Sequence, residues 1–338
     1  RAAKRLAISS GRDADTIHKA LEASVRETGR TYFERNEANP LEEDLIIVDE
    51  ASMLDISLFY HLLCALKDGA RLILVGDIDQ LPPVGAGEPL KDLMSWGYVP
   101  IVRLKRIFRQ EEGSGIVENA ALIRKGEMCV PDEAGEFRIV YAADDEDAYR
   151  IVMDLCRELN YGNEENKMLL QVLSPMYRGV CGVDHLNESL QEMIHGEKVP
   201  DGMKFFPGDK VMQTRNDYEK GIYNGDVGTV WTATPQKVFV RYFDKEVVYE
   251  GEERFDLRLA YAVTVHKSQG SEYETVIFIL RPSQHNMLQR NLLYTGVTRA
   301  RKNTILVTAP DALRRALAIQ HTGNRYSLFL PFLNHEAL

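Results

Sequence analysis

The chain has 338 residues, 44% of them apolar and 27% charged, a balance that supplies ample core and excludes a disordered or fibrous protein. Its 41 basic against 51 acidic residues leave a net charge of −10, which excludes a polybasic nucleic-acid coater but not an enzyme that gathers its basic residues in one cleft. No apolar run approaches the ~20 residues that a bilayer span needs, and the four cysteines lack zinc spacing, so the chain reads as a cytoplasmic protein with buried thiols and no membrane partner.

Length suggests about two domains. DTIHKALEASV (15–25) has helical periodicity, with Ile17, Ala20, Leu21 and Val25 on one face and Asp15 placed to cap it. EANPLEED (37–44) is a polar connector. LIIVD (45–49) predicts a fully buried strand, SLFYHLLCALKDG (57–69) a helix ending at Gly69, and RLILVGD (71–77) a second buried strand. A helix over 115–125, a strand over 137–142, a helix over 145–159 and a strand over 168–173 continue the alternation. Units of this kind build parallel sheets covered on both faces. Between Lys204 and Glu253 helical periodicity is lost; an Asn224-Gly225 turn signal and the alternating KVFVRYF (237–243) predict a small antiparallel barrel or meander. LAYAVTV, TVIFIL and TILVTA then resume the α/β pattern, and HTGNRY (321–326) is a second connector.

Two segments concentrate chemistry. In LIIVDEASMLD (45–55) a buried strand delivers Asp49 and Glu50 to its C-terminal end, the edge where open α/β sheets bind ligands. An acidic group there can hold Mg²⁺ while a neighbouring Glu orients or deprotonates water; a plainer reading has both residues opening a loop and capping the next helix. In LVGDIDQLPPVGAG (74–87) a second strand leads to Asp77 and Gln80, the latter suited to a terminal phosphate or its attacking water, before a double proline stiffens the turn. The simpler alternative is an ordinary Pro/Gly loop.

Together, DEAS and GDIDQLPPVGAG resemble motifs II and III of superfamily-1 helicases. RLKRIFRQ (103–110) resembles the arginine-bearing motif that opens the second motor domain, YAVTVHKSQGSEY (261–273) motif V, and NLLYTGVTRARKN (291–303) motif VI. RAAKRL and TIHKAL resemble the first DNA-contacting motifs, while SPMYRGVCGVDHLN (174–187) and GDKVMQTRNDYEKGIYNGDVG (208–228) are similar to the RecD-like, 5′-to-3′ branch, the family of the exodeoxyribonuclease V alpha subunit. The resemblance implies an α/β fold of two RecA-like P-loop NTPase motor domains, the first truncated at its N-terminus, with an inserted SH3-like β-barrel. It places motor domain 1A at 1–100, 2A at 101–203 and 257–338, and the inserted 2B at 204–256.

It also implies an ATP-dependent DNA helicase using ATP and Mg²⁺. Asp49 would bind the metal, Glu50 activate water, Gln80 sense the γ-phosphate, and Arg109 and Arg299 supply arginine fingers. Asp77, Gly270 and Glu272 would complete the nucleotide site, Glu272 at the sugar. Thr16, His18, Arg178, Asn224, Thr264, His266 and Lys267 would line a channel for single-stranded DNA, at duplex junctions and without need of an oligomer. Arg109 and Arg299 could instead be surface ion pairs, and His18 and His266 structural histidines. Tyr218, Tyr223 and Trp231 could stack on bases, though such aromatics more often fill a barrel core.

One departure stands out. The family's GxxxxGK[ST] phosphate loop, whose amides and lysine cradle phosphates, does not occur. In the family it precedes the stretch beginning RAAKRL, so this chain, which starts at Arg1, reads as the C-terminal part of a longer protein and as ATPase-deficient alone. Two other readings stay open: the motor half of a conjugative relaxase-helicase, and a non-catalytic DNA-binding subunit of a recombination nuclease complex. No nuclease-like cluster of carboxylates with a nearby lysine is evident, so nuclease chemistry would belong to partner subunits.

Overall fold

A computed structural model describes residues 2–25, 31–104, 113–243, 245–320 and 329–334. The chain divides into two compact units, residues 1–106 with 322–338, and residues 107–321.

In the first unit, α1 (Ala2–Ser10) precedes α2 (Ile17–Ala20). The helix expected over 15–25 is therefore shorter. Glu22 adopts a left-handed φ of 52°, and the chain enters an antiparallel hairpin of β1 (Ala23–Val25) and β2 (Thr31–Phe33). Next, β3 (Leu45–Val48) pairs in parallel with β4 (Arg71–Leu74), connected through α3 (Ile56–Cys64). Helix α3 is capped by Asp55, whose carboxylate accepts the Leu58 N–H at 2.8 Å, and it ends before Gly69 because Ala65 already closes it. A further helix, α4 (Pro89–Trp96), ends at Gly97.

Leu21, Phe33, Val48 and Leu62 form this unit's core, with Ile46, Leu72 and Leu74 packed against it. The strands were expected to be buried throughout. Instead Leu45 and Ile47 are 48% and 52% exposed, and Ile73 and Val75 are 45% and 43% exposed. Successive side chains point to opposite faces of a sheet, and the core covers one face of this pair.

In the second unit, α5 (Gly115–Lys125) leads to β5 (Phe137–Tyr141), α6 (Asp145–Glu158), α7 (Glu164–Leu169), β6 (Leu170–Ser174) and α8 (Val183–His195). An antiparallel sheet follows: β7 (Lys210–Gln213), β8 (Val227–Ala233), β9 (Lys237–Arg241), β10 (Glu246–Glu250) and β11 (Leu257–Leu259), in spatial order β10-β9-β8-β7-β11. The chain then returns to the α/β layer through β12 (Ala262–Thr264), β13 (Tyr273–Leu280), α9 (Arg290–Val297), β14 (Ala300–Thr308) and α10 (Pro310–Ala318). The parallel sheet runs β12-β6-β13-β14-β5.

Helices α6 and α8 bury Val152, Cys156, Leu186 and Leu190 with Val172, Ile277 and Ile305 of the sheet. A side chain at Gly296 of α9 would fall 2.5 Å from the Phe278 ring, so helix and strand pack at the limit of approach. The antiparallel sheet has its own core of Phe205, Val211, Ile222, Val230, Val240, Tyr249 and Leu257. The last described helix, α11 (Phe329–Leu333), lies in the first unit, where the Phe329 and Phe59 rings meet edge-on at 5.9 Å. Cys129, Cys156 and Cys181 are buried, whereas Cys64 is only half-buried. No helix among the described residues is long and apolar enough to cross a membrane.

Candidate nucleotide and nucleic-acid sites

Pairing Val48 with Leu74 makes Asp49 and Val75 leave the first unit's parallel sheet at one edge. There the two chains interlock. The Val75 N–H donates to the Val48 carbonyl at 2.8 Å, and the Ala51 N–H donates back to the Val75 carbonyl at 2.8 Å. Gly76 permits this crossing, since a Cβ there would fall 2.8 Å from the Ser52 nitrogen and 3.2 Å from the Ala51 nitrogen. Further along, the Ile56 N–H donates to the Ala86 carbonyl at 2.9 Å. The turns carrying Asp49–Glu50 and Asp77–Gln80 are thereby held side by side.

Asp49 is exposed, and its Oδ1 accepts the Glu50 N–H at 2.8 Å. Glu50 is half-buried with a left-handed φ of 53°, a conformation a non-glycine residue rarely adopts. Asp77 organises its own turn, accepting the Asp79 N–H at 3.0 Å on its carboxylate and the Gln80 N–H at 3.2 Å on its carbonyl. Gln80 Nε2 lies 3.4 Å from Asp77 Oδ2, which leaves Gln80 Oε1 buried and without a partner among the described residues. Ser52 Oγ is in the same condition, and both residues line one pocket of about 20 Å³, room for roughly one water.

These are hard oxygen donors, and Mg²⁺ is commonly held by one or two carboxylates with substrate phosphates completing its shell. Asp49 fits that role. The described residues contain no cluster of three or more metal-ligating side chains. Ser52 and Gly76 were not singled out from sequence; a glycine between a strand and a carboxylate was the available signal.

The second unit brings Gly270, Glu272 and Arg299 together. Gly270 turns the chain with a φ of +68°, and Glu272 is half-buried just before β13. Arg299 is 2% exposed. Its Nε donates to the Thr295 carbonyl at 3.2 Å, its Nη1 to the Ser271 carbonyl at 3.3 Å, and its own carbonyl accepts the Tyr273 N–H at 3.0 Å. The surface ion-pair alternative for Arg299 does not fit a buried guanidinium. Arg109 lies outside the described residues.

Of the residues expected at DNA, Thr16 and His18 lie in the first unit. Thr16 caps α2 by accepting the Lys19 N–H at 3.3 Å, and the exposed His18 ring sits 5.9 Å from that of Phe33. The others belong to the second unit. Ser174 of β6 pairs with Thr264 of β12, so the loops after both strands emerge at one sheet edge. One carries the exposed Arg178, the other His266 and Lys267. Lys267 Nζ donates to Asn224 Oδ1 at 2.6 Å, which joins this edge to the inserted sheet. Burial, reinforced by Arg258, lowers the Lys267 pKa, and burial lowers that of His266 below its usual value. Thr264 is itself buried, and its hydroxyl accepts the Lys267 N–H at 3.2 Å.

Asn224-Gly225 closes the long loop between β7 and β8 instead of forming a two-residue hairpin. Gly225 has a φ of +94°, and its N–H donates to the Gln213 carbonyl at 2.9 Å. Tyr218 is 45% and Trp231 57% exposed, and Tyr223 is half-buried, so none of the three fills the barrel core. The Tyr218 and Tyr223 rings meet at 6.1 Å, and the Arg241 guanidinium lies over Trp231 at 5.4 Å.

Comparison with known proteins finds three family models along the chain. Residues 1–138 match the family model of an AAA domain, residues 186–242 that of the ATP-dependent RecD-like DNA helicase SH3 domain, and residues 259–307 that of the UvrD-like helicase C-terminal domain. The ATP-dependent RecD2 DNA helicase of Deinococcus radiodurans is 37% identical over 332 residues, an alignment covering 97% of this chain and 44% of the relative. The RecBCD enzyme subunit RecD of Mycolicibacterium smegmatis is 32% identical, covering 94% and 60%. The chain thus spans about half the length of the curated relatives it matches. Among solved structures, the Pif1 helicase from Bacteroides in complex with ADP-AlF3 and ssDNA shares the fold, with a TM-score of 0.56, 20% identity and coverage of 97% of this chain and 84% of that one.

Proposed function

The chain belongs to the RecD-like family of DNA helicases, and on that premise we propose that the protein carrying it couples ATP hydrolysis to 5′-to-3′ movement along single-stranded DNA, opening duplex at junctions in repair or recombination. The observation that carries this reading is the interlock of the Asp49–Glu50 and Asp77–Gln80 turns at one strand edge. Asp49 would hold Mg²⁺ with the phosphates of ATP, the ion neutralising charge on them. Glu50, fixed beside it, would take a proton from the attacking water. Gln80, with its Oε1 uncommitted and Nε2 on Asp77, would hydrogen-bond that water or the terminal phosphate. Arg299 would stabilise charge on the transferred phosphoryl group, after exchanging its carbonyl partners for phosphate oxygens. Arg109 would assist it, and Glu272 and Gly270 would line the nucleotide's side of the second unit.

The sheet edge bearing Arg178, His266 and Lys267, extended by Asn224, would follow the strand's backbone, with Tyr218 and Tyr223 beside it as stacking platforms. Thr16 and His18 would contact the strand from the first unit. The 338 residues lack a GxxxxGK[ST] segment, so this chain alone should turn over little ATP. The test uses the full-length protein: single-stranded DNA should stimulate ATP turnover, and forked duplex with a 5′ tail should be opened in preference to one with a 3′ tail. Absence of stimulation overturns the motor reading, and a 3′ preference overturns its direction.

A second reading rests on the relatives named RecBCD enzyme subunit RecD, which favour a working place among recombination nuclease subunits. Co-purification with such subunits from its own cells tests it.

A further inference from the structure

The inserted sheet joins the α/β layer through two adjacent buried charges that the nucleotide and DNA sites do not use. Asp209 and Lys210 are both 0% exposed. Asp209 accepts hydrogen bonds from Gln191 Nε2 of α8, from the Tyr261 hydroxyl at 2.8 Å and from the Phe206 N–H at 2.7 Å, and His195 Nε2 of α8 lies 2.8 Å from its Oδ1. Lys210, the first residue of β7, donates to the Leu170 carbonyl at 3.1 Å and to Gln171 Oε1 at 3.0 Å, both on β6. Its ammonium also sits 5.5 Å from the Tyr161 ring centre and 5.7 Å from that of Tyr273. A buried charge is costly unless its hydrogen-bonding groups are met, and here partners come from α8 and β6, with the Tyr273 ring of β13 beside the ammonium. It is built as a rigid joint, not a hinge.

Both ends of the joint lead to functional segments. Tyr273 follows Glu272, and its N–H is held by the Arg299 carbonyl at 3.0 Å. In the other direction β7 runs from Lys210 to Gln213, whose carbonyl holds Gly225 next to the Asn224 that Lys267 grips. Coupling between distant sites travels through packed, hydrogen-bonded elements of this kind. We propose that Lys210 is a positioning residue that transmits displacement of the Glu272–Arg299 segment to the loop over 214–226, so that nucleotide state and grip on DNA change together. The proposal rests on the motor reading above and adds the residue that links its two sites.

The test measures ATP turnover by the full-length protein with and without saturating single-stranded DNA, and the affinity for that DNA separately. Lys210→Met keeps the length of the side chain and removes its charge. The ratio of stimulated to unstimulated turnover should fall about tenfold, while the DNA still binds. A ratio equal to that of the wild type overturns the proposal. Should Lys210→Met fail to fold, His195→Phe decides. It retains the stack on Phe206, now at 4.4 Å, and deletes one bond to Asp209; a reduced ratio supports the coupling and an unchanged ratio overturns it. A wild-type protein that DNA does not stimulate removes the motor reading and this proposal with it.

Discussion

Gly76→Ala tests the interlock directly. The glycine has no left-handed φ, so alanine meets no backbone strain and the effect is one of space alone. The added carbon would lie 2.8 Å from Leu90 Cδ2, which can rotate away, and 2.8 Å from the Ser52 nitrogen, which cannot move without carrying the chain with it. Relief requires the Ala51–Ser52 backbone to retreat by about 0.6 Å to reach ordinary contact, at the expense of the 2.8 Å bond from the Ala51 N–H to Val75. Overpacking of this kind costs about 1–3 kcal/mol, and a weakened hydrogen bond adds about 1 kcal/mol. Urea unfolding of the protein should register a loss of roughly 2–4 kcal/mol. Gly69→Ala is the comparison, since there the space is open and only a φ of +82° opposes the change, for about 1 kcal/mol. In the full-length protein, Gly76→Ala should also slow ATP turnover by at least about tenfold, because sub-ångström misplacement of reacting groups is expensive. Stability within about 0.5 kcal/mol of wild type, with normal turnover, would refute the argument that this contact sets the spacing of Glu50 and Gln80.

Four further substitutions can be checked. Glu50→Gln in the full-length protein should abolish most ATP turnover while nucleotide stays bound, and Arg299→Ala should cost about 10³–10⁵ in rate with single-strand binding largely kept; near-normal turnover in either shows a misassigned residue. Because Arg299 is buried on two carbonyls, its variant should also melt earlier, and rates belong well below that midpoint. Lys267→Ala should weaken DNA binding and lower the slope of log affinity against log salt by about 0.7, as titrations from low to moderate salt would reveal; an unchanged slope denies the lysine a phosphate contact. Burial lowers the His266 pKa from its usual 6.5, so the folded state favours the neutral ring. That contribution is complete above 6.5 and is lost as pH falls towards the lower folded value. The melting midpoint should accordingly drop less between neutral and mildly acidic pH in His266→Gln than in wild type, and parallel curves would contradict this.

The alternation of strands and helices was legible because burial on both faces writes a continuous apolar run, as β13 and β14 do. LIIV and RLIL carry the same run yet are half-exposed; composition announces an apolar face but not whether anything covers it. The inserted sheet was legible from lost helical periodicity, whereas its anchorage was not, because Asp209 and Lys210 look like ordinary strand-end charges until residues from α8 and β6 close around them. The carboxylates at strand ends were found from pattern, since their chemistry depends on local order. Spacing between the two turns depends on Gly76, where the informative feature is the lack of a side chain. Tyr218, Tyr223 and Trp231 show the limit of composition from the other side: an aromatic in a β segment has the same signature whether it faces core or solvent.

With the water-activating role proposed above, the left-handed backbone at Glu50 would set stability against activity at a single position. An L-residue held at a φ of 53° forgoes about 1 kcal/mol that glycine would not. A population of variants screened only for heat resistance should therefore drift towards glycine or asparagine at residue 50, gaining robustness while discarding the carboxylate. Retention of glutamate under a screen for growth, and its loss under one for folding, would distinguish a residue kept for its reaction from one kept for its shape.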